Sequence, residues 1–148
     1  MKSSCPANQK IIRLIDANLN RSKEAARVCE EIMRFVVEDK KLCAAFKRLR
    51  HRITKCALSL ELDSRTIISA RNSEEDIGVK SITSEANRDD VAAIFSANIQ
   101  RLKEAVRVLE EFSKIINKGA AENFKKLRFD IYALEKKTAF ILLSLRNS

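Results

Sequence analysis

The sequence predicts an all-α fold: a bundle of four main helices made from an internally duplicated helix hairpin, with a long functional connector. Three observations carry that prediction. Turn-formers are scarce, with Gly 2 and Pro 1 in 148 residues, whereas sandwiches and barrels need many of both. Apolar residues recur with the period of an amphipathic helix along most of the chain. The chain also repeats itself. Residues 17–31 read ANLNRSKEAARVCEE and residues 97–111 read ANIQRLKEAVRVLEE, identical at 10 of 15 positions. The likeness resumes in FKRLRHRI at 46–53 and FKKLRFDI at 124–131, so each copy holds two helices.

Taken in order, helix one spans about Gln9–Val37, Glu38 and Asp39 mark the turn, and helix two spans about Lys40–Leu60. The connector, Asp63–Arg88, carries the polar run ARNSEEDIGVKS and a short strand or helical turn near Arg65–Ala70. Loops beyond about 15 residues in compact domains are usually functional or disordered. Helix three spans about Asp89–Asn117. Asn117, Lys118 and Gly119 read as its stop, because Asn and Gly tolerate the left-handed conformation. Helix four spans about Ala120–Leu145. The whole of 1–148 reads as one domain, with repeat one at about 11–62, the connector at 63–88 and repeat two at 89–146.

Composition narrows the function. A hydrophobic share of 45% beside 33% charged residues predicts a packed core. The formal net charge of +9 favours an anionic partner: nucleic acid, an acidic membrane surface or a phosphorylated small molecule. Acids and bases are interleaved, aromatics are only 5%, and no helix-turn-helix is visible, which argues against nucleic acid. No apolar run approaches the roughly 20 residues of a membrane span, so neither membrane nor nucleic acid is expected and the location expected is cytoplasmic. The Gly-rich phosphate loops GxxxxGK[ST] and GxGxxG are absent. Cys5, Cys29, Cys43 and Cys56 have no CxxC spacing and His51 is the single histidine. That argues against zinc and for free thiols in a reducing compartment.

Polar residues on apolar faces point to the site. On a wheel of helix one, Leu14, Ala25, Val28, Cys29, Ile32 and Val36 form a stripe that contains Asn18, with Arg21 on its shoulder. Helix three repeats this with Ala105, Val108, Leu109, Phe112 and Ile116 around Asn98, beside Arg101. Burying an unpaired polar group costs about 1–3 kcal/mol, and a bare charge more. A bound anion in a shared interior hollow is the expected compensation. Glu24, Arg27 and Glu31, matched by Glu104, Arg107 and Glu111, flank the stripes as i,i+3 and i,i+4 pairs. Arg50 and His51 close the FK[RK]LR motif of copy one, and Arg128 holds the Arg50 position in copy two. Arg71, Asp76 and Gly78 lie in the connector, in a segment with no apolar reason to be ordered.

The segments DANLNRSKEAARVCEEIMRF, LRHRI, ARNSEEDIGVKS, SANIQRLKEAVRVLEEFSK and LRFDIYALEK together resemble one family. It is the helical type of hydroxymethylpyrimidine phosphate kinase, distinct from the ribokinase-fold enzyme of that step. Such a domain often precedes thiamin phosphate synthase. The resemblance covers about Ile11–Lys136 and implies a reaction in thiamin biosynthesis, the ATP-dependent conversion of hydroxymethylpyrimidine phosphate to its diphosphate. Under it Arg21, Arg71 and Arg101 hold phosphates, with Arg50, His51, Arg107 and Arg128 as further binding residues. Asp76, with Glu24 or Glu104, is the choice for Mg²⁺. Asn18 or Asn98 reads the aminopyrimidine edge, and Gly78 lets backbone N–H groups approach a phosphate. The family loop has Asp where this chain has Asn72. With the chain ending at Ser148, coupling to thiamin phosphate synthase is expected through a separate protein. Duplication suggests two specialised half-sites or a site across a homodimer interface. The rival readings are a basic nucleic-acid-binding module and a non-catalytic scaffolding bundle.

Overall fold

Acidic or amide side chains set the starts of the helices that follow the first. The computed structural model describes residues 6–78 and 86–146; Cys5 and the Val79–Ser81 end of the connector motif lie outside them. Among the described residues the α-helices are α1 Pro6–Ile32, α2 Lys40–Leu58, α3 Ser64–Ala70, α4 Val91–Ile116 and α5 Lys118–Arg146. A π-helical turn, Met33–Val37, closes α1. Asp39 starts α2 by accepting the Leu42 N–H at 2.9 Å, and Asp90 starts α4 by accepting the Ala93 N–H at 2.7 Å. Asp63 caps α3 in the same manner. Each satisfies an amide that the first turn leaves without a partner.

Two expected details are corrected. Asn117 does not stop α4 by turning left-handed. Its backbone is extended, with φ −157°, and its side chain accepts the Ala120 N–H at 3.1 Å, so it caps α5. Gly119 sits inside the first turn of α5, and no glycine has positive φ. The left-handed residues are Glu38 and Glu61, each with φ 58°. Val36 does not continue the apolar stripe of α1. The π turn changes the winding, so Met33 is buried while Phe35 and Val36 are exposed.

The helices form two hairpins, α1–α2 and α4–α5, packed most extensively through α1 and α4 and closed by α2 against α5. The core takes Ile15, Leu19, Ala26 and Cys29 from α1 and Phe46 and Ile53 from α2, with Leu102, Val106 and Leu109 of α4 facing Phe124, Leu127 and Ile131 of α5. Phe46, one turn into α2, meets Phe95, one turn into α4, edge to face at 6.0 Å between ring centroids. At the other end Asn117 donates to the Ser59 carbonyl at 3.2 Å. The start of α4 therefore lies beside the end of α1, and the two run antiparallel. The two copies are related by an approximate two-fold. Its clearest mark is the 2.6 Å ion pair of Arg52 with Asp130, which occupy the same position in the two copies.

Candidate functional site

The duplication places an equivalent charge cluster in each hairpin. Glu30 is 3% exposed, and its carboxylate accepts from Arg50 Nε at 2.8 Å and Arg27 Nη1 at 3.2 Å. Glu110 is 4% exposed and takes Arg128 Nε at 2.7 Å and Arg107 Nη1 at 3.2 Å. Burial alone would raise both carboxyl pKa values. The hydrogen bonds and charges of the two arginines outweigh it and hold both below the usual glutamate range. Arg50, Arg107 and Arg128, expected as binding residues, are thus engaged in tying each hairpin together. Arg27 and Arg107 also reach Glu31 and Glu111 at 3.1 and 3.0 Å. The expected pairing of Arg27 with Glu24, and of Arg107 with Glu104, is not formed: each arginine turns toward the buried glutamate of its own hairpin instead. Sequence reasoning missed Glu30 and Glu110. The repeated Glu-Glu pair was the available signal, but it does not say which glutamate faces inward.

A second cluster has no counterpart in the other copy. Asp16, 6% exposed on α1, accepts from Arg71 Nε and Nη2, both at 2.8 Å. One helical turn before it, Arg13 Nη2 donates to the Asn72 carbonyl at 2.7 Å. Asn20 donates to the Asp16 carboxylate at 3.3 Å. The bidentate bond and the charge of Asp16 hold Arg71 further into its protonated range. The connector is thereby fastened to α1 directly after α3. Asn72 closes a turn, giving its amide to Glu75 at 2.7 Å and accepting the Glu75 N–H at 3.3 Å. Asp76 Oδ1 accepts the Gly78 N–H at 2.8 Å. That amide, expected to face a phosphate, is taken up locally. Asp16 also escaped the sequence reading, because Ser96 stands at its place in copy two and the repeat gave it no echo.

The Asn/Arg pairs need no bound anion to satisfy their amide N–H groups. Asn18 is buried and Asn98 half-buried, and each donates to the carbonyl four residues earlier, Leu14 at 2.9 Å and Ile94 at 2.8 Å. Both amides are satisfied within their own helices. Arg21 and Arg101 are exposed, and among the described residues neither has a hydrogen-bond or ion-pair partner. Among the described residues, the best-formed clefts, of 140 to 430 Å³, are lined by residues other than Asn18, Arg21, Asn98 and Arg101. His51 and Glu24 are exposed, and Glu104 accepts from Gln100 at 3.0 Å.

Cys29, Cys43 and Cys56 are free thiols, and burial pushes Cys29 up to about 12. Among the described residues no helix is long and apolar enough to cross a membrane.

Comparison with known proteins identifies the cluster-bearing scaffold. No solved structure matches the chain significantly. A thiamine-phosphate synthase of Synechocystis sp. is 37% identical over 126 residues, covering 84% of this chain and 35% of the relative. Another from Thermosynechococcus vestitus is 35% identical over 139 residues, covering 92% and 38%, and one from Rhodopirellula baltica is 31% identical over 128 residues, covering 85% and 33%. The chain therefore spans about a third of the length of the curated relatives it matches. The model of the ThiD2 family matches residues 13–137, which include most of both hairpins, both buried glutamates and the connector residues held on α1. The chain belongs to the ThiD2 family.

Proposed function

We propose that the chain acts in thiamin biosynthesis as a kinase, moving the γ-phosphoryl group of ATP onto hydroxymethylpyrimidine phosphate to give the diphosphate. Membership in the family and the relatives named thiamine-phosphate synthase support the pathway. The observation that carries the reaction is the docking of Arg71 on α1, two bonds to Asp16 fixing a half-exposed guanidinium whose remaining donors have no partner among the described residues.

The chemistry asks little of a base. A phosphomonoester is already ionised near pH 7, so its oxygen attacks the γ-phosphorus directly, the bond to the β-bridging oxygen breaks and ADP leaves. What the protein supplies is alignment and charge. Arg71, the unpartnered Arg21 and the unpartnered Arg101 are the groups assigned to the phosphates, because a guanidinium binds phosphate oxygens in pairs. Asn18 and Asn98 keep their amide oxygens for the pyrimidine edge, their N–H groups being spent on α1 and α4. Gly78, at the end of the Asp76 turn, approaches a phosphate only if its amide leaves Asp76.

Mg²⁺ takes one or two carboxylates and fills its other positions with water and phosphate oxygens. Asp76 fits this: its Oδ2 has no partner among the described residues, and Oδ1 is oriented by Gly78. Glu24 is exposed and unpartnered as well, whereas Glu104 is shared with Gln100. No group of three or more His, Cys, Asp or Glu gathers among the described residues, so the phosphates would complete the set held by Asp76 with Glu24 or Glu104. The ion would neutralise charge on the transferring group.

The test is direct. Purified protein with ATP, Mg²⁺ and the pyrimidine monophosphate should release ADP in step with the diphosphate. Arg71→Ala should lower kcat/KM at least about tenfold, a loss of about 1.4 kcal/mol of transition-state stabilisation, with helical circular dichroism unchanged. No ADP release from the wild type ends the kinase reading. Wild-type turnover by the variant removes Arg71 from it.

A further inference from the structure

The groove between α2 and α5 holds a cluster of cations that the proposed kinase chemistry does not use. A cleft of about 190 Å³ there is lined by Arg52, Lys55 and Cys56 from α2 and by Asn123 and Lys126 from α5. Three cations and an amide surround it, and no carboxylate lines it. Arg52 shares its charge with Asp130 at 2.6 Å. Lys55 and Lys126 have no hydrogen-bond or ion-pair partner among the described residues. Like charges around one concave surface repel, and a low-dielectric wall focuses their field on whatever enters. Cys56 is buried at the cleft and supplies such a wall.

The duplication provides an internal control. Aligning Phe46–Ile53 with Phe124–Ile131 pairs Arg52 with Asp130, Lys55 with Ala133, Cys56 with Leu134, Asn123 with Ala45 and Lys126 with Arg48. Those partners line a second cleft, of about 280 Å³, on the other side of the Arg52–Asp130 pair. The two clefts are the same feature in two copies. In the second, an aspartate and an alanine replace Arg52 and Lys55 and another alanine replaces Asn123, so that beside Arg48, Arg52 and Lys137 a carboxylate, Asp130, lines the cleft itself.

We infer that the α2–α5 cleft of Arg52, Lys55, Asn123 and Lys126 binds a diphosphate group. The volume is below the roughly 300 Å³ at which pockets begin to enclose drug-sized molecules, so it suits the phosphate groups and leaves a nucleoside outside. Two linked phosphates offer oxygens to more donors than one, and Lys55, Lys126 and the Arg52 donors that Asp130 leaves free are spread around the cleft to meet them. The donors present, a guanidinium, two ammonium groups and a side-chain amide, are the kinds that hold phosphate oxygens. This inference stands apart from the kinase reading, since it uses none of the residues assigned there.

Isothermal titration calorimetry of the intact chain tests it, with inorganic pyrophosphate, orthophosphate and ADP as probes and no acceptor substrate present. Pyrophosphate should bind at least about tenfold more tightly than orthophosphate. ADP affinity equal to that of pyrophosphate identifies the diphosphate group alone as what is read, and a tighter ADP identifies a nucleotide as its source. Lys55→Ala combined with Lys126→Ala should weaken pyrophosphate at least tenfold, while Lys137→Glu, in the second cleft, changes it less than threefold. Both lysines are exposed, and circular dichroism checks that the double variant stays folded. The inference is overturned if the wild type takes up no pyrophosphate, if the double variant binds it as the wild type does, or if Lys137→Glu costs as much.

Discussion

Asp16 shows how one side chain places another. A carboxylate only 6% exposed is costly unless it is paired, and Arg71 and Asn20 supply the partners. The cost of breaking the pair falls on the connector, because Arg71 and the Arg13–Asn72 bond are its named ties to α1 beyond α3. Asp16→Asn keeps the shape and removes the charge. It should leave the melting of the bundle within about 1 kcal/mol, since Arg71 is half exposed and hydrates when released, while amide exchange in 70–78 accelerates at least several-fold. Unchanged exchange there refutes the tie. Asn72, where the resemblance leads one to expect an aspartate, is intelligible from its neighbour. Its amide donates to Glu75 at 2.7 Å, where an aspartate would face that carboxylate with like charge. Asn72→Asp should therefore loosen the same segment, and Asn72→Asp combined with Glu75→Gln should restore its protection. The sequence motif made Arg71 visible, but its partner had to be seen in space, because no spacing rule links residues 55 apart.

Helix boundaries were legible to within a few residues because capping chemistry is local. Asp39, Asp63, Asp90 and Asn117 each bond an amide two or three residues ahead, and such residues announce a helix start from sequence alone. The end of α1 was less legible. A 3.6-residue wheel carries the stripe through Val36, and the π turn at Met33–Val37 breaks that phase. The turn ends on Glu38 in the left-handed region at φ 58°. A residue with a Cβ is strained there by about 1–2 kcal/mol, and glycine is not. Glu38→Gly should raise stability by up to about 1 kcal/mol, the relief being partly offset by the larger entropy of glycine in the unfolded chain. Urea denaturation measures this, and a clear loss of stability would mean that Glu38 holds the turn by its side chain rather than enduring it.

At the scale of the molecule, the repeat predicted the two hairpins but not how they face each other. The antiparallel course of α1 and α4 rests on packing that no single helix contains, and the arginines that the two motifs share, Arg21 and Arg101, end up exposed. What the two-fold does bring is a pair of buried Glu–Arg clusters, one in each hairpin, and these tie the stability of the whole fold to pH. The folded pKa values of Glu30 and Glu110 lie below those of the unfolded chain. Their contribution is therefore complete above the unfolded value, near 4.5, and is lost as pH falls through the folded value. Glu30→Gln and Glu110→Gln should each cost about 1–3 kcal/mol at pH 7, less than the roughly 3–5 kcal/mol for breaking a fully buried pair, because Arg27 and Arg107 are half exposed and regain water. As pH falls through those lowered values the wild-type glutamates are themselves protonated, so the difference between wild type and either variant should shrink toward zero. Denaturant unfolding at pH 7 and pH 3 measures both differences. A gap that stays constant between the two pH values would show that the variants lose packing, not charge, and that the paired carboxylates do not set the acid limit of the fold.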